Sequence, residues 1–72
     1  MEKFVYVVLL PQYPTFRTFS AEADTAKQAA QIVRDSHPDV LRYKHWRCVK
    51  ESLVSLASHI LWEQWKTERE TA

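Results

Sequence analysis

Glycine is missing from all 72 residues of the chain. Walker-type and dinucleotide-binding phosphate loops need glycines so that the backbone can approach the ligand, and the sequence therefore excludes both. Cys48 is the single cysteine, which excludes a framework of intramolecular disulfides. Lysine and arginine total 10 against 9 acidic residues, and a net charge of +1 gives no overall field that would attract nucleic acid or an anionic membrane.

Long hydrophobic runs are also missing. The longest apolar stretch, residues 4–10, has seven residues, whereas a helix that crosses a membrane needs about 20. Residues 1–3 lack a basic leader, and no small-residue cleavage site follows the apolar stretch. Together with the single thiol, these features predict a cytoplasmic protein.

Seventy-two residues fit one domain, which we take to span residues 1–72. A chain of this size buries only about 60% of the surface that its unfolded form exposes. Nine aromatic residues partly compensate, since each ring can bury roughly 150–250 Å². Two possibilities stay open: the rings stabilise a monomer, or some are buried only against a partner or a second copy.

The first half of the chain predicts a β-hairpin followed by a helix. Residues 4–10 are apolar on both alternating faces, which is typical of a covered, central strand. Pro11 and Pro14 lie in the connection to a second strand, so the hairpin spans residues 4–21. Thr25 and Gln28 form a capping box that begins a helix over 25–36, and Pro38 ends it.

The second half predicts a strand and a long helix. Residues 41–49 fit a strand better than a helix because they are rich in residues that favour a pleated surface. Residues 52–68 form a helix with an apolar arc of about half its circumference, and residues 69–72 are expected to fray. The fold class is therefore α+β, a small two-layer domain of order β-β-α-β-α. Its three-stranded, mostly antiparallel sheet is expected to carry both helices on one face.

A basic and aromatic stretch lies between residues 42 and 50. It holds four cations and no acidic residue, and cations interleaved with aromatic rings can contact phosphates and stack on bases. A strand would place Arg42, Lys44, Trp46 and Lys50 in a row on one surface. The alternative is a solvated strand face whose charges discourage aggregation. The candidates for binding nucleic acid are Arg42, Lys44, Trp46, Arg47 and Lys50.

Tryptophans in the second half of the chain are candidates for binding a protein. Trp62 falls on the polar side of the long helix, and tryptophan is enriched in interface hot spots. Alternatively, its ring folds over its own helix or packs near Tyr13. The candidates for binding a protein partner are Trp46, Trp62 and Tyr13. A homodimer could form through the apolar arc of the helix, with Leu53, Leu56, Ile60 and Trp65 at its seam.

Chemistry at Cys48 is not favoured. His45 has the short spacing of a metal-ligand pair with Cys48, but residues three apart on a strand point to opposite faces. Arg47, Lys50 and His45 could lower the pKa of the thiol, yet nothing in the sequence resembles an oxyanion hole. We expect no metal site, no cofactor and no enzymatic activity.

Residues 4–34 carry a partial resemblance to a known family. A strand-rich start followed by Ala23, Asp24 and Thr25, and then by Ala29 and Ala30, resembles the opening of HicB-type antitoxins and of several small bacterial and phage proteins. The antitoxins have a glycine-containing turn between sheet and helix, which this chain lacks. No functional residue is carried over from the resemblance.

These observations favour a small non-enzymatic protein-interaction module, an adaptor, regulator or inhibitor of the kind found in phages and mobile elements. It would act by binding a larger protein. The alternative is a nucleic-acid-binding domain that uses the basic and aromatic strand at residues 42–50.

Overall fold

A computed structural model describes residues 1–10 and 15–71. Its elements are β1 (Glu2–Leu10), β2 (Thr15–Ala23), α1 (Ala26–Ser36), β3 (Trp46–Lys50) and α2 (Val54–Thr71), with short 3-10 helices at Pro38–Arg42 and Glu51–Leu53. The α+β class and the order β-β-α-β-α are thereby confirmed. Helix α2 continues to Thr71, beyond the point where fraying was expected. Within the described ranges, no helix has both the length and the apolar character needed to cross a membrane.

The three strands form one antiparallel sheet in the order β2-β1-β3. The apolar strand β1 takes the central position that its two apolar faces predict. It pairs with β2 without interruption from Glu2 opposite Ala23 to Leu10 opposite Thr15. The shorter β3 pairs with the other side of β1, where Val8 lies opposite Trp46. Both outer strands therefore have one edge without a neighbouring strand in the described chain.

The two helices cover opposite faces of the sheet, so the expectation that both pack on one face is wrong. Helix α1 packs on the even-numbered side chains of β1, and α2 packs on the odd-numbered ones. Since β1 is apolar on both sides, a single helical layer would leave one of its faces in water. The buried side chains of β1 are Phe4, Tyr6 and Val8 toward α1, and Val5, Val7 and Leu9 toward α2.

Helix α1 begins at the capping box that the sequence predicts. The Thr25 hydroxyl accepts a hydrogen bond of 3.2 Å from the Gln28 backbone N–H. The Gln28 side chain accepts one of 3.1 Å from the Asp24 N–H, so two N–H groups at this end are satisfied. Small buried side chains at Ala29 and Ala30 let the helix lie close to the sheet.

Residues 38–45 are not part of a strand, contrary to the prediction for 41–49. Pro38 begins a 3-10 helix, and the fully buried Val40 anchors that helix to the core beneath α1. The Val40 carbonyl accepts a hydrogen bond of 3.1 Å from the Tyr43 N–H, which ends the turn. Strand β3 begins only at Trp46. Arg42 and Lys44 consequently lie outside the sheet.

Candidate interaction surfaces

Trp46 is held by contacts within the molecule. Its indole stacks on the Tyr6 ring with 5.0 Å between centroids and an angle of 3° between the planes. The Arg34 guanidinium carbon lies 4.2 Å from the centroid of the Trp46 ring, and Arg34 Nε donates a hydrogen bond of 3.5 Å to the Tyr6 hydroxyl. A nucleic-acid base would have to stack on the face of the indole ring, and the contacts with Tyr6 and Arg34 already occupy that surface.

The basic residues between 42 and 50 do not form the row expected for a strand. Lys44 Nζ lies 3.1 Å from a Glu68 carboxylate oxygen, and Lys50 Nζ lies 3.4 Å from one of Glu2. Arg47 lies on the α2 face of β3, opposite Val7, whereas Lys50 lies on the α1 face. Arg47 Nε is buried and has no hydrogen-bond partner among the described residues. The cations thus point in different directions, and two of them are partly neutralised.

His45 and Lys44 bind the last turns of α2 to the start of β3. His45 Nε2 lies 3.0 Å from Glu68 Oε2, and the His45 side chain is only 14% exposed. The hydrogen bond from Lys44 is the main cause that lowers the pKa of the Glu68 carboxyl, and His45 contributes in the same direction. Glu68 therefore favours its charged form in the folded protein.

This contact predicts that α2 is sensitive to acid at its C-terminal end. A carboxylate whose pKa is lower in the folded than in the unfolded chain stabilises the fold at neutral pH. That contribution diminishes as the pH falls from the ordinary glutamate value of 4.5 through the lower folded pKa. We expect NMR signals of the last α2 turns to report loosening in this range.

In Glu68→Gln, we expect the last turns of α2 to be loose already at neutral pH. The additional loosening at acid pH is then expected to be absent. Glu70→Gln is the matched control because residue 70 lies about 200° round the helix from residue 68. An acid transition of the last turns that is identical in the wild type and in Glu68→Gln would contradict this role of Glu68.

The surroundings of Cys48 raise the pKa of its thiol. Burial raises the pKa of the half-buried Cys48 thiol, and the nearby Arg34 only partly opposes that effect. A higher pKa leaves less of the reactive thiolate at neutral pH. Within residues 1–10 and 15–71, no three histidine, cysteine, aspartate or glutamate side chains are placed to hold a metal ion.

Trp62 and Trp65 contact each other on α2. Trp65 packs against the core cluster beneath α2, and the Arg69 guanidinium lies 5.1 Å from its ring centroid. The half-buried Trp62 ring lies 5.2 Å from that of Trp65, so it folds partly over its own helix. The third candidate for binding a protein partner, Tyr13, lies outside the described residues.

Helix α2 and the 3-10 helix before it leave an apolar strip uncovered, which we call the outer flank: Leu53 at the end of the 3-10 helix, and Leu56 and Ile60 on α2. Leu53 is 45% exposed, Leu56 is 55% exposed, and Ile60 is half-buried. At about 100° per residue, Leu56 and Ile60 lie about 40° apart on α2, and Leu53 comes three residues before Leu56. Glu63 and Thr67 share that side and line a shallow groove with Lys44 and His45, so the outer flank faces the β3 side of the molecule.

The sequence did not distinguish the outer flank from the core. The apolar arc of α2 covers about half of the helix, which is more than one sheet face can bury. The sheet takes Ala57 and Leu61, and Trp65 packs beside them. Of the four residues expected at a dimer seam, Trp65 therefore belongs to the core, and the other three form the outer flank. The small side chain of Ala57 was the sequence feature that could have identified the buried side of α2, because close packing on a sheet favours a small side chain.

The chain matches no protein-family model, and no curated protein or solved structure is significantly similar to it. The resemblance of residues 4–34 to HicB-type antitoxins finds no support in these comparisons. Function must therefore be inferred from the surfaces of the chain itself.

Proposed function

We propose that this chain is a small non-enzymatic protein-interaction module, an adaptor, regulator or inhibitor, that binds a larger protein along the outer flank of α2. The observation that carries the proposal is the exposure of two large apolar side chains, Leu53 and Leu56, three residues apart at the beginning of α2. Exposed apolar side chains that are grouped, rather than scattered, are typical of interaction sites.

The spacing of the outer flank fits an amphipathic helix of the partner. Leu53, Leu56 and Ile60 follow each other at intervals of three and four residues, which is the spacing of anchor residues in helix-mediated recognition. Beyond Ile60, the same side of α2 becomes polar at Glu63 and Thr67. A partner helix would bury its apolar side against the three anchors and place a polar end beside these two residues.

The charged side chains support binding to a protein rather than to nucleic acid. Lysines and arginines that bind phosphates displace the counterions of the nucleic acid, and the strength of binding depends on how many such side chains are available. Lys44 and Lys50 already have carboxylate neighbours, and the Trp46 ring is packed on Tyr6. No observation favours the nucleic-acid alternative over the outer flank.

The buried part of the protein supports a binding role rather than a catalytic one. Apart from the Tyr6 hydroxyl, which accepts a hydrogen bond from Arg34, the buried side chains of the described residues are apolar. The ion pairs that involve Lys3, Lys44 and Lys50 lie at the surface and join the ends of neighbouring elements. Such pairs connect the elements of the fold, and they differ from the enclosed polar groups that general acid or base chemistry uses.

Capture experiments with two lysine variants test the proposal. Tagged wild type, Leu56→Lys and Ser55→Lys are exposed to extract from the source organism, and bound proteins are compared by mass spectrometry. Both lysines enter the same turn of α2, but only Leu56→Lys places a charge on the outer flank. We expect Ser55→Lys to retain the wild-type partner and Leu56→Lys to lose it by at least tenfold, with equal helix content by circular dichroism.

Equal recovery of every bound protein by the two lysine variants would contradict the proposal. Recovery of nucleic acid in place of protein would favour the alternative function instead.

A further inference from the structure

Strand β2 directs alternate backbone groups away from the sheet. The Leu9 N–H donates a hydrogen bond of 3.0 Å to the His45 carbonyl, so the odd-numbered residues of β1 point their backbone groups toward β3. The even-numbered residues of β1 then bond to β2, where their opposite residues are odd-numbered. The residues of β2 whose N–H and C=O groups face outward are Phe16, Thr18, Ser20 and Glu22.

The outer edge of β2 has little of the usual protection against pairing. Proteins commonly shield edge strands with charged side chains, especially lysine, or with proline, a bulge or short length. Strand β2 has nine residues, contains neither proline nor lysine, and keeps an unbroken register with β1. The opposite edge strand, β3, has only five residues and ends in Lys50. The edge of β2 is thus the more open of the two.

We propose that a second copy of this chain pairs with β2 along this edge. Two identical antiparallel strands are related by a two-fold axis, which here passes between Phe19 of one copy and Phe19 of the other. In this register, the residues of one β2 that face outward lie opposite the outward-facing residues of the other β2. Thr18 then lies opposite Ser20 of the second copy, and Phe16 lies opposite Glu22 of the second copy. All four outward-facing residues of each β2 gain a hydrogen-bonding neighbour, and the result is one six-stranded sheet.

The charges of β2 are compatible with a second copy in this orientation. Arg17 and Glu22 are the only charged residues of the strand. They lie on opposite faces of the sheet, and Arg17 Nη1 lies 3.7 Å from Asp39 Oδ2 of its own chain. In the register through Phe19, no charged residue lies opposite another of the same sign, which would be destabilising.

Both faces beside the edge leave further side chains exposed, apolar toward α1 and polar toward α2. Toward α1, Ile32 remains 45% exposed in a shallow groove that it shares with Glu22 and Ala23. On the other face, α2 packs chiefly on β1 and β3 and leaves Thr18 and Ser20 exposed. Two copies that join at β2 would cover both regions, which a free strand of another protein would cover less completely.

Sedimentation equilibrium with two substitutions at one residue tests the dimer. Thr18→Pro removes an outward N–H, and the hydrogen bonds between β1 and β2 remain because Thr18 does not donate to β1. Thr18→Val keeps the N–H and is the matched control. As the concentration rises, we expect the wild type and Thr18→Val to approach twice the chain mass of 8.5 kDa, whereas Thr18→Pro stays at 8.5 kDa. A wild type that remains monomeric, or a Thr18→Pro dimer, would overturn the proposal.

Hydrogen exchange of the unmodified protein provides a test that needs no substitution. We expect the amides of Thr18, Ser20 and Glu22 to become protected as the protein concentration rises, while Arg17 and Phe19 are protected throughout. Exchange of the first three amides that does not depend on concentration would contradict dimerisation at this edge. Leu56 lies on the outer flank, which faces the β3 side of the molecule and not the β2 edge. We therefore expect the Leu56→Lys variant to dimerise like the wild type. The dimerisation test and the capture experiment can then fail independently of each other.

Discussion

Leu61→Ala is expected to destabilise the protein by about 2–5 kcal/mol, the usual cost of removing a large aliphatic side chain from a core. Leu61 is the largest fully buried side chain of α2, and it packs against the odd-numbered side chains of β1. A domain of this length has a free energy of unfolding of only about 4–10 kcal/mol. The substitution therefore removes a large part of the stability, and thermal unfolding should show the Tm falling by roughly 10–30 °C.

Leu56→Ala is the matched control for Leu61→Ala. It makes the same chemical change on the same helix, but Leu56 is more than half exposed. We expect its unfolding free energy to change by at most about 0.5 kcal/mol, as is usual for surface positions. Equal losses for the two variants would mean that α2 does not pack on the sheet through Leu61.

Trp46→Ala is expected to destabilise the protein by about 3 kcal/mol, near the lower end of the range for large aromatic side chains because Trp46 is half-buried. The substitution removes the stack on Tyr6 and the cation–π contact with Arg34 as well as buried area. Urea unfolding monitored by circular dichroism measures the loss.

Trp62→Ala is the control for Trp46→Ala. Trp62 packs on Trp65 at the surface of α2, so its removal is expected to cost about 1 kcal/mol or less. If Trp62→Ala destabilised the fold more than Trp46→Ala, the assignment of Trp46 to the interior and Trp62 to the surface would be wrong. Affinity for any nucleic acid is expected to be equally low in both variants.

The parts of the fold that local chemistry dictates could be predicted from the sequence. The two apolar faces of residues 4–10 required a central strand, and β1 is central. The hydroxyl of Thr25 and the amide of Gln28 specified the beginning of α1, and both form the expected hydrogen bonds. These features depend on neighbouring residues, which the sequence shows directly.

The placement of the helices depends on contacts between residues that are far apart in the sequence, and these contacts cannot be deduced from neighbouring residues. Because β1 is apolar on both faces, both faces were expected to be covered. The lengths and sequences of the connections, however, do not indicate which helix packs on which face. Residues 41–45 were wrongly predicted to belong to the strand for a similar reason. Tyr43 and Leu41 suit a strand by composition, yet the burial of Val40 beneath α1 fixes a 3-10 helix there.

The candidate surfaces show the same division between local and long-range information. The periodicity of residues 53–65 identified the apolar side chains of α2 but not which of them the sheet would cover. Trp65 is partly buried and packs against the core, whereas Leu53 and Leu56 lie at the surface. The open edge of β2 had not been predicted, although the absence of proline and lysine from residues 15–23 was visible in the sequence.

Photo-crosslinking from the outer flank in cells of the source organism tests the proposed function most directly. Benzoylphenylalanine replaces Leu56 in one variant and His59, about 60° beyond the flank, in a second. We predict a crosslinked protein much heavier than the 8.5 kDa chain from position 56 and little or none from position 59. No adduct at position 56, or equal adducts at both positions, would contradict the claim that the outer flank is where this protein binds its partner.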